Sequence, residues 1–244
     1  MRGTQARMTA RSVVLSLLLG AHPASATSAE LLRLTAGFGI KETAMRVALT
    51  RMVAAGDLLR SADGYRLSAR LLDRQRRQDE ALNPRMRHWG GDWLTVVITS
   101  VGSNARTRAA LRSGLAERRF GELREGIWMR PDNIDVDLGV DLSARTRLLV
   151  ARDEQPVELA GMLWDLAGWA DTGHALLTAI ADATDVPGRF AVAAAMVRHL
   201  RRDPVLPPDL LPPDWPGERI RKSYAEFADG LASRRDADES VDQP

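Results

Sequence analysis

The chain has 244 residues, 45% of them hydrophobic, with 34 basic against 32 acidic side chains and no cysteine. That length allows two or three small domains, each with its own core. The missing thiols exclude a disulfide framework, a thiolate zinc site and a cysteine nucleophile, and no stretch approaches the roughly 18–20 apolar residues that span a bilayer. Lys41 and Lys222 are the only lysines, so arginine carries nearly all the positive charge. Residues 1–88 hold 15 basic and 7 acidic side chains, a net +8, which leaves −6 for the rest of a chain whose total is +2. A basic amino-terminal third on a mildly acidic body is the expected footprint of a DNA-binding module joined to a sensing or dimerising part.

The first 26 residues imitate a secretory signal: Arg2, Arg7 and Arg11, the apolar run Val13–Leu19, then Ala24-Ser25-Ala26 as a small-residue cleavage site. Val14, Leu15, Leu18 and Leu19 also fall on one face of a helix. Cleavage after Ala26 would remove the first helix of a three-helix unit, so the amino terminus is expected to be retained and the protein to be cytoplasmic. After Pro23 and a small-residue turn, Ser28 is placed to cap a second helix carrying Leu31, Leu32 and Leu34 and stopping at Gly37. Phe38-Gly39-Ile40 reads as the tight turn of a helix-turn-helix.

The third helix spans about Lys41–Ala55, and Met45, Ala48, Leu49 and Met52 face inward at i, i+3, i+4, i+7. Thr43, Arg46, Val47, Thr50 and Arg51 are left on or near the outer face, with Lys41 at the helix start. A recognition helix needs a buried stripe that fixes it and an outer face offering arginines and short polar groups to bases and phosphates. Asp57–Ser61 and Tyr65–Ser68 flank Ala62-Asp63-Gly64, a hairpin signal that supplies a wing, from which Arg60 and Arg66 would reach phosphates.

Leu71–Leu82 is dense in charge and reads as a solvated helix or linker leading to Pro84. A strand follows at Trp93–Thr99, an arginine-rich helix at about Ala105–Arg119, and short strands near Ile127–Met129 and Arg147–Ala151, an order that fits a ferredoxin-like α+β unit. Arg106, Arg108, Arg112, Arg118 and Arg119 are read as the wet face of their helix ahead of a second phosphate-binding surface. From Glu158 the pattern is helical, with a stripe of Leu159, Met162, Leu163 and Leu166, then helices at His174–Ala183, Phe190–Leu200 and Glu218–Leu231. The proline cluster Pro204–Pro216 between the last two is expected as an extended strap over the surface, and the tail from Arg234 as disordered.

Catalytic signatures are sparse. His22, His88, His174 and His199 lack metal-ligand spacing, and there is no nucleophile elbow, P-loop or dinucleotide fingerprint. Asp135, Asp137 and Asp141 read as an acidic turn ahead of a cation site, and Trp164 and Trp169 as core ahead of an aromatic pocket. No cofactor or metal is expected.

These residues resemble the PaaX-type repressors of phenylacetic acid degradation. The amino-terminal likeness lies in Ala10-Arg11-Ser12, Gly39-Ile40 and Met45–Met52 closing at Gly56. More diagnostic are Trp89-Gly90-Gly91-Asp92-Trp93, Phe120-Gly121-Glu122-Leu123 with Gly126–Pro131, and Asp203–Pro207 with Leu210–Gly217. The resemblance covers about residues 10–228 in order. Its one departure is the wing, where members often carry a longer, more basic hairpin with paired tyrosines. This chain has only Ser61–Tyr65, so minor-groove contacts by the wing are not implied.

The expected architecture is α+β. It comprises a winged helix-turn-helix (8–70), a charged linker or helix (71–88), a ferredoxin-like middle domain (89–153), a helical carboxy-terminal domain (154–231) and a tail (232–244). The resemblance implies a non-enzymatic repressor that binds a palindromic operator as a homodimer and is released by an acyl-CoA effector, typically phenylacetyl-CoA. Arg189, Arg198, Arg201 and Arg202, the basic cluster nearest the helical stripe, are the candidates for the effector's phosphates. The alternatives are a nucleic-acid-acting enzyme built on the middle domain and a winged-helix adaptor for protein partners.

Overall fold

A computed structural model describes residues 9–100 and 104–239; Arg2, Arg7 and the last five residues of the expected tail lie outside them. The fold mixes helix and sheet, as an α+β reading requires. Two compact units divide the chain, and neither is continuous. One comprises Met1–Asn83, His174–Arg201 and Glu218–Pro244; the other comprises Pro84–Gly173 and Arg202–Gly217.

The first unit begins with α1 (Ala10–Leu19), whose start is capped by the Thr9 hydroxyl accepting from the Ser12 amide. Val14, Leu15, Leu18 and Leu19 enter one apolar cluster, as their spacing predicts. Val13 and Leu17 enter a second cluster with Phe190, which explains why this helix is apolar on more than one face. Ser25 and Ala26 of the apparent cleavage site, with Thr27, form a strand, β1 (Ser25–Thr27). The next helix, α2 (Ser28–Ala36), is capped one residue earlier than Ser28: the Thr27 hydroxyl accepts from the Glu30 amide at 3.1 Å, and the Glu30 carboxylate accepts from the Thr27 amide at 2.6 Å. Such a reciprocal box satisfies two orphan amides at once.

After the turn, where Gly39 holds φ +64°, α3 (Glu42–Ala54) buries Met45, Leu49 and Met52. Two short strands, β2 (Leu58–Arg60) and β3 (Gly64–Leu67), complete a three-stranded antiparallel sheet in the order β1-β3-β2. Gly64 stands opposite Thr27, and a Cβ placed there would lie 2.3 Å from the Ala26 carbonyl oxygen. The glycine of the Asp63-Gly64 pair therefore serves the close passage of β1.

The charged segment that follows is a packed helix, α4 (Ala69–Leu82), with Leu71, Gln75, Gln78 and Ala81 buried. Its glutamines close the open end of α1. The Gln75 amide donates to the carbonyls of Leu18, Leu19 and Ala21, and that of Gln78 donates to Leu19. Carbonyls in a last helical turn have no partner within the helix, so buried side-chain donors replace water there. The carboxylate of Asp57, also buried, accepts from Arg11 at 2.7 Å and from Arg70 at 2.5 Å.

From the far end of the chain, α9 (Val186–Leu200), α10 (Gly217–Glu239) and the carboxy half of α8 (Leu166–Asp182) belong to this unit. The α10 helix runs through Glu239, where an irregular tail was expected from 232. Its apolar residues stop near Leu231, so side-chain pattern alone underestimates its length.

The second unit is built on β4 (Asp92–Ile98), α5 (Ala105–Glu117), β5 (Gly121–Arg124), β6 (Ile127–Pro131), α6 (Gly139–Ser143) and β7 (Thr146–Arg152). The sheet order is β5-β6-β4-β7, antiparallel throughout. Alternation sends Leu94, Val96 and Trp128 to the cluster shared with α5 and α6. Trp93 and Met129 turn to the other face, where α7 (Pro156–Leu163) and Leu206 pack. Helix α8 starts eight residues earlier than the expected His174, because glycines at 168 and 173 lower its apparent helical propensity; Trp169 within it stacks on Trp215 at 4.2 Å.

The proline segment is no surface strap over its first part, since residues 203–207 are all buried. Pro204 and Pro207 bring no N–H, which leaves fewer donors to satisfy in this buried stretch. The Val205 amide donates to the Asp203 carboxylate at 2.8 Å. Beneath this segment lies Arg130, fully buried, donating to the carbonyls of Pro131 and Arg118 and to Asn133 Oδ1. Asn133 in turn donates to the Val205 carbonyl at 2.9 Å. Burial, with the neighbouring Arg119 charge, pulls the Arg130 guanidinium down to about 9, against the opposing pull of Asp132.

Two stability measurements test these contacts. Gly64→Ala should cost about 1–3 kcal/mol, as overpacking against backbone does, seen as a lower urea midpoint at unchanged m-value. Wild-type stability would mean that β1 does not press on Gly64. Arg130→Met takes a donor from the Pro131 and Arg118 carbonyls and from Asn133 Oδ1 while conserving much of the volume, and should cost at least about 2 kcal/mol, since each buried group left unsatisfied costs about 1–3 kcal/mol. A neutral result would show that the segment holds through apolar contacts alone.

Candidate nucleic-acid interface

Helix α3 carries its candidate residues on the solvent side. Lys41 is the N-cap residue, and it, Thr43, Arg46, Thr50 and Arg51 are all exposed, with Val47 49% exposed among them. The three buried residues of the helix lie on the opposite side, so the outer row is fixed in position by the core. Arg46 is not idle. Its Nε and Nη2 donate to the Glu42 carboxylate at 2.9 and 2.5 Å, one helical turn back. Glu42, which residue-type reasoning passed over, therefore sets the resting position of the chief arginine on this face. Such exposed i,i+4 pairs contribute only about 0.2–0.5 kcal/mol, so Arg46 exchanges partners readily. The Thr50 hydroxyl donates to the Arg46 carbonyl at 3.0 Å, which leaves its oxygen facing outward as an acceptor.

The hairpin separates its two arginines. Arg60 pairs across the ladder with Tyr65, and Arg66 with Leu59 and Ser25. Neighbouring residues of a strand point to opposite faces, so Arg66 stands on the face opposite Arg60. Arg60 lies over the Tyr65 ring, 6.0 Å from its centroid. The two arginines thus cannot rest on one flat surface together, apart from a contact that wraps the hairpin tip.

The effector candidates are scattered. Arg198 and Arg201 line a cavity of about 440 Å³ within the first unit, and Arg189 lines an adjoining hollow of about 150 Å³ that shares Phe190, Phe227 and Leu231 with it. Arg202 falls in the second unit. Arg74 of α4, read from sequence as part of a solvated segment, lines the larger cavity too. Burial lowers its pKa, and the charges of Arg201, Arg11, Arg70 and Arg77 lower it further, in that order. A set of arginines from distant parts of the chain leaves no local signature.

Three of the five arginines of α5 and its exit are held within the unit. Arg112 pairs with Glu122 at 2.6 Å and lies over the Trp128 ring, Arg118 donates to the Asp137 and Gly114 carbonyls, and Arg119 donates to the Asp203 carbonyl. Asp137 accepts from the Gly139 amide, and Asp135 bonds Arg87, so the acidic stretch is a turn. Among the described residues no cluster of three or more His, Asp or Glu is placed to hold a metal ion, and no helix is long and apolar enough to cross a membrane.

A mixed helix-and-sheet protein with a basic amino-terminal module presenting one helix to solvent is the class these features define. Family comparisons make it specific. The PaaX-like protein model matches residues 9–71, the PaaX protein central Cas2-like domain matches 86–149, and the PaaX-like protein C-terminal domain matches 170–239. The chain belongs to the PaaX-like family, and membership suggests a regulator of phenylacetic acid catabolism. Among solved structures, the uncharacterized protein Rv0674 from Mycobacterium tuberculosis is 67% identical, with a TM-score of 0.86 over 94% of this chain and 98% of that one. No curated protein matches.

Proposed function

We propose that the chain is a DNA-binding transcriptional repressor whose amino-terminal module acts as a winged helix-turn-helix. The observation that carries this reading is α3, whose inner residues Met45, Leu49 and Met52 are buried while Lys41, Thr43, Arg46, Thr50 and Arg51 form an exposed basic and polar row. Set into a major groove, such a row offers Arg46 to guanine, the Val47 side chain to a thymine methyl, and Arg51 to phosphate. Arg66 adds a phosphate contact from the wing. The β4-α5-β5-β6-α6-β7 order, with strands arranged β5-β6-β4-β7, supports reading the middle as a ferredoxin-like unit.

The regulator works without catalysis, in the cytoplasm, as a homodimer on a palindromic operator. Its edge strand β7, with Leu148, Leu149 and Val150 exposed, is the surface we assign to the second copy. An acyl-CoA thioester, phenylacetyl-CoA or a relative, is the releasing effector. Release requires that it favour the non-binding conformation, since a ligand with equal affinity for both states shifts nothing.

Fluorescence anisotropy on bound genomic fragments tests the assignment. Arg46→Ala should weaken operator binding about ten- to a hundredfold, the equivalent of a bidentate arginine–guanine contact at roughly 1–3 kcal/mol. Arg51→Ala and Arg66→Ala should each reduce the salt slope by about one unit and leave sequence preference intact. Operator binding by Arg46→Ala equal to wild type would place the reading face elsewhere. Titrating the preformed complex separates the effectors: a thioester is expected to release the DNA, while free phenylacetate and coenzyme A leave it bound. Retention of the complex under every thioester, well above micromolar, would remove the effector claim and leave the DNA-binding claim standing.

A further inference from the structure

The cavity of about 440 Å³ lies wholly within the first unit, bounded by α1, α2 and α4 of the amino-terminal module and by α9 and α10. That volume is in the range of small-molecule sites. Its body is apolar, lined by Leu17, Leu31, Leu34, Phe190, Val197 and Phe227. Arg74, Arg198 and Arg201 also line it, all three exposed, and among the described residues no carboxylate does. None of the three arginines forms an ion pair with a carboxylate among the described residues. Gln78 and Tyr224 line it as well. Burial and the nearby Asp79 charge raise the Tyr224 pKa, which keeps its hydroxyl protonated at neutral pH. Its oxygen accepts from Gln78 at 3.5 Å, so its own hydrogen is left to donate.

We propose that this cavity is a ligand site for an amphiphilic anion, taking an apolar organic body among the leucines and phenylalanines and an anionic group at Arg74, Arg198 and Arg201. Of the cations that line it, Arg201 acts against the Arg74 charge, and Arg11, Arg70 and Arg77, outside the lining, add to that repulsion. An arriving anion relieves that repulsion while its apolar part gains burial; a neutral ligand forgoes the first gain and a fully polar one the second. The shared chemistry admits two sources, a free aryl or alkyl carboxylate and a thioester whose phosphates provide the charge. The site deepens the effector reading given above and rests on it for its consequence: Leu17 belongs to α1, and Leu31 and Leu34 belong to α2, the helix just before the turn into α3. The ligand would therefore touch the DNA-reading module directly, instead of acting from outside it.

Calorimetric titration of the full chain without DNA tests the site independently of the repressor reading. The probes are phenylacetyl-CoA, octanoyl-CoA, phenylacetate and octanoate. At least one should bind with 1:1 saturation, and comparison of the pairs decides between thioester and free acid. Arg74→Ala/Arg201→Ala should weaken that probe at least tenfold and flatten its salt dependence, and Ala194→Phe, which fills the cavity from α9, should abolish binding. Arg152→Ala, in the second unit and paired there with Asp92, should leave affinity unchanged. Thermal melting checks that each variant folds; should Ala194→Phe fail to, the arginine pair alone decides. No saturable binding of any probe up to about 1 mM, a free energy near 4 kcal/mol, overturns the site, as does a probe that binds the arginine pair variant like wild type. If binding is as expected while the protein ignores every DNA fragment, the site stands and the repressor reading falls.

Discussion

One carboxylate joins the parts of the amino-terminal module. Asp57 follows the last turn of α3, and its side chain is buried between Arg11 at the start of α1 and Arg70 at the start of α4. Its backbone is engaged as well: the amide donates to Met52 in α3, and the carbonyl accepts from Ser68, just before α4. A charge out of water needs its counter-charges in good geometry, so the site specifies where three helices begin or end relative to one another. The exposed row on α3 inherits its position from that joint and from the buried stripe behind it. Because both arginines are largely exposed, their contribution comes more from placing the helices than from bulk stability.

The parts of this unit that were legible in sequence are those whose signal is local. The stripe on α3 and the paired stripe on α1 follow helical period, and both are buried as their spacing predicts, save for Ala48, which is half-buried. β1 was not legible, because three small residues carry no alternation and owe their strand identity to pairing with β3. Nor was the packing of α4, whose inward row contains two glutamines; polar residues read as solvated until the carbonyls they serve are known. The cavity was beyond reach for a related reason. Arg198 and Arg201 were singled out, but Arg74 and Tyr224 meet them only through the packing of α4 and α10.

The second unit explains why motifs far apart in sequence accompany one another. Gly126–Pro131 supplies Arg130, whose hydrogen bonds run through Asn133 to the carbonyl of Val205, within the Asp203–Pro207 segment. Arg119 reaches the Asp203 carbonyl in the same region. Gly121 in the Phe120–Leu123 motif stands where a Cβ would lie 2.7 Å from that of Leu163, so α7 crosses β5 on a residue without a side chain. Val205 holds φ +52°, a conformation costly for a β-branched residue, and the surrounding hydrogen bonds maintain it. Read singly, these motifs resembled a family; together they form one buried network.

The discontinuous chain path of the first unit bears on its synthesis. Val13 and Leu17 lie against Phe190, and residues 84–173 belong to the other unit. On a ribosome adding roughly 5–20 residues per second, α1 therefore emerges about 10 s or more before α9 exists to cover that side. During this interval the Gln75 and Gln78 amides can already close the end of α1, while its Val13 face stays open to water or to a chaperone. A fragment ending near Asn83 would keep that face open permanently, so the amino-terminal module cut out alone is expected to be sticky and poorly soluble, whatever its affinity for DNA.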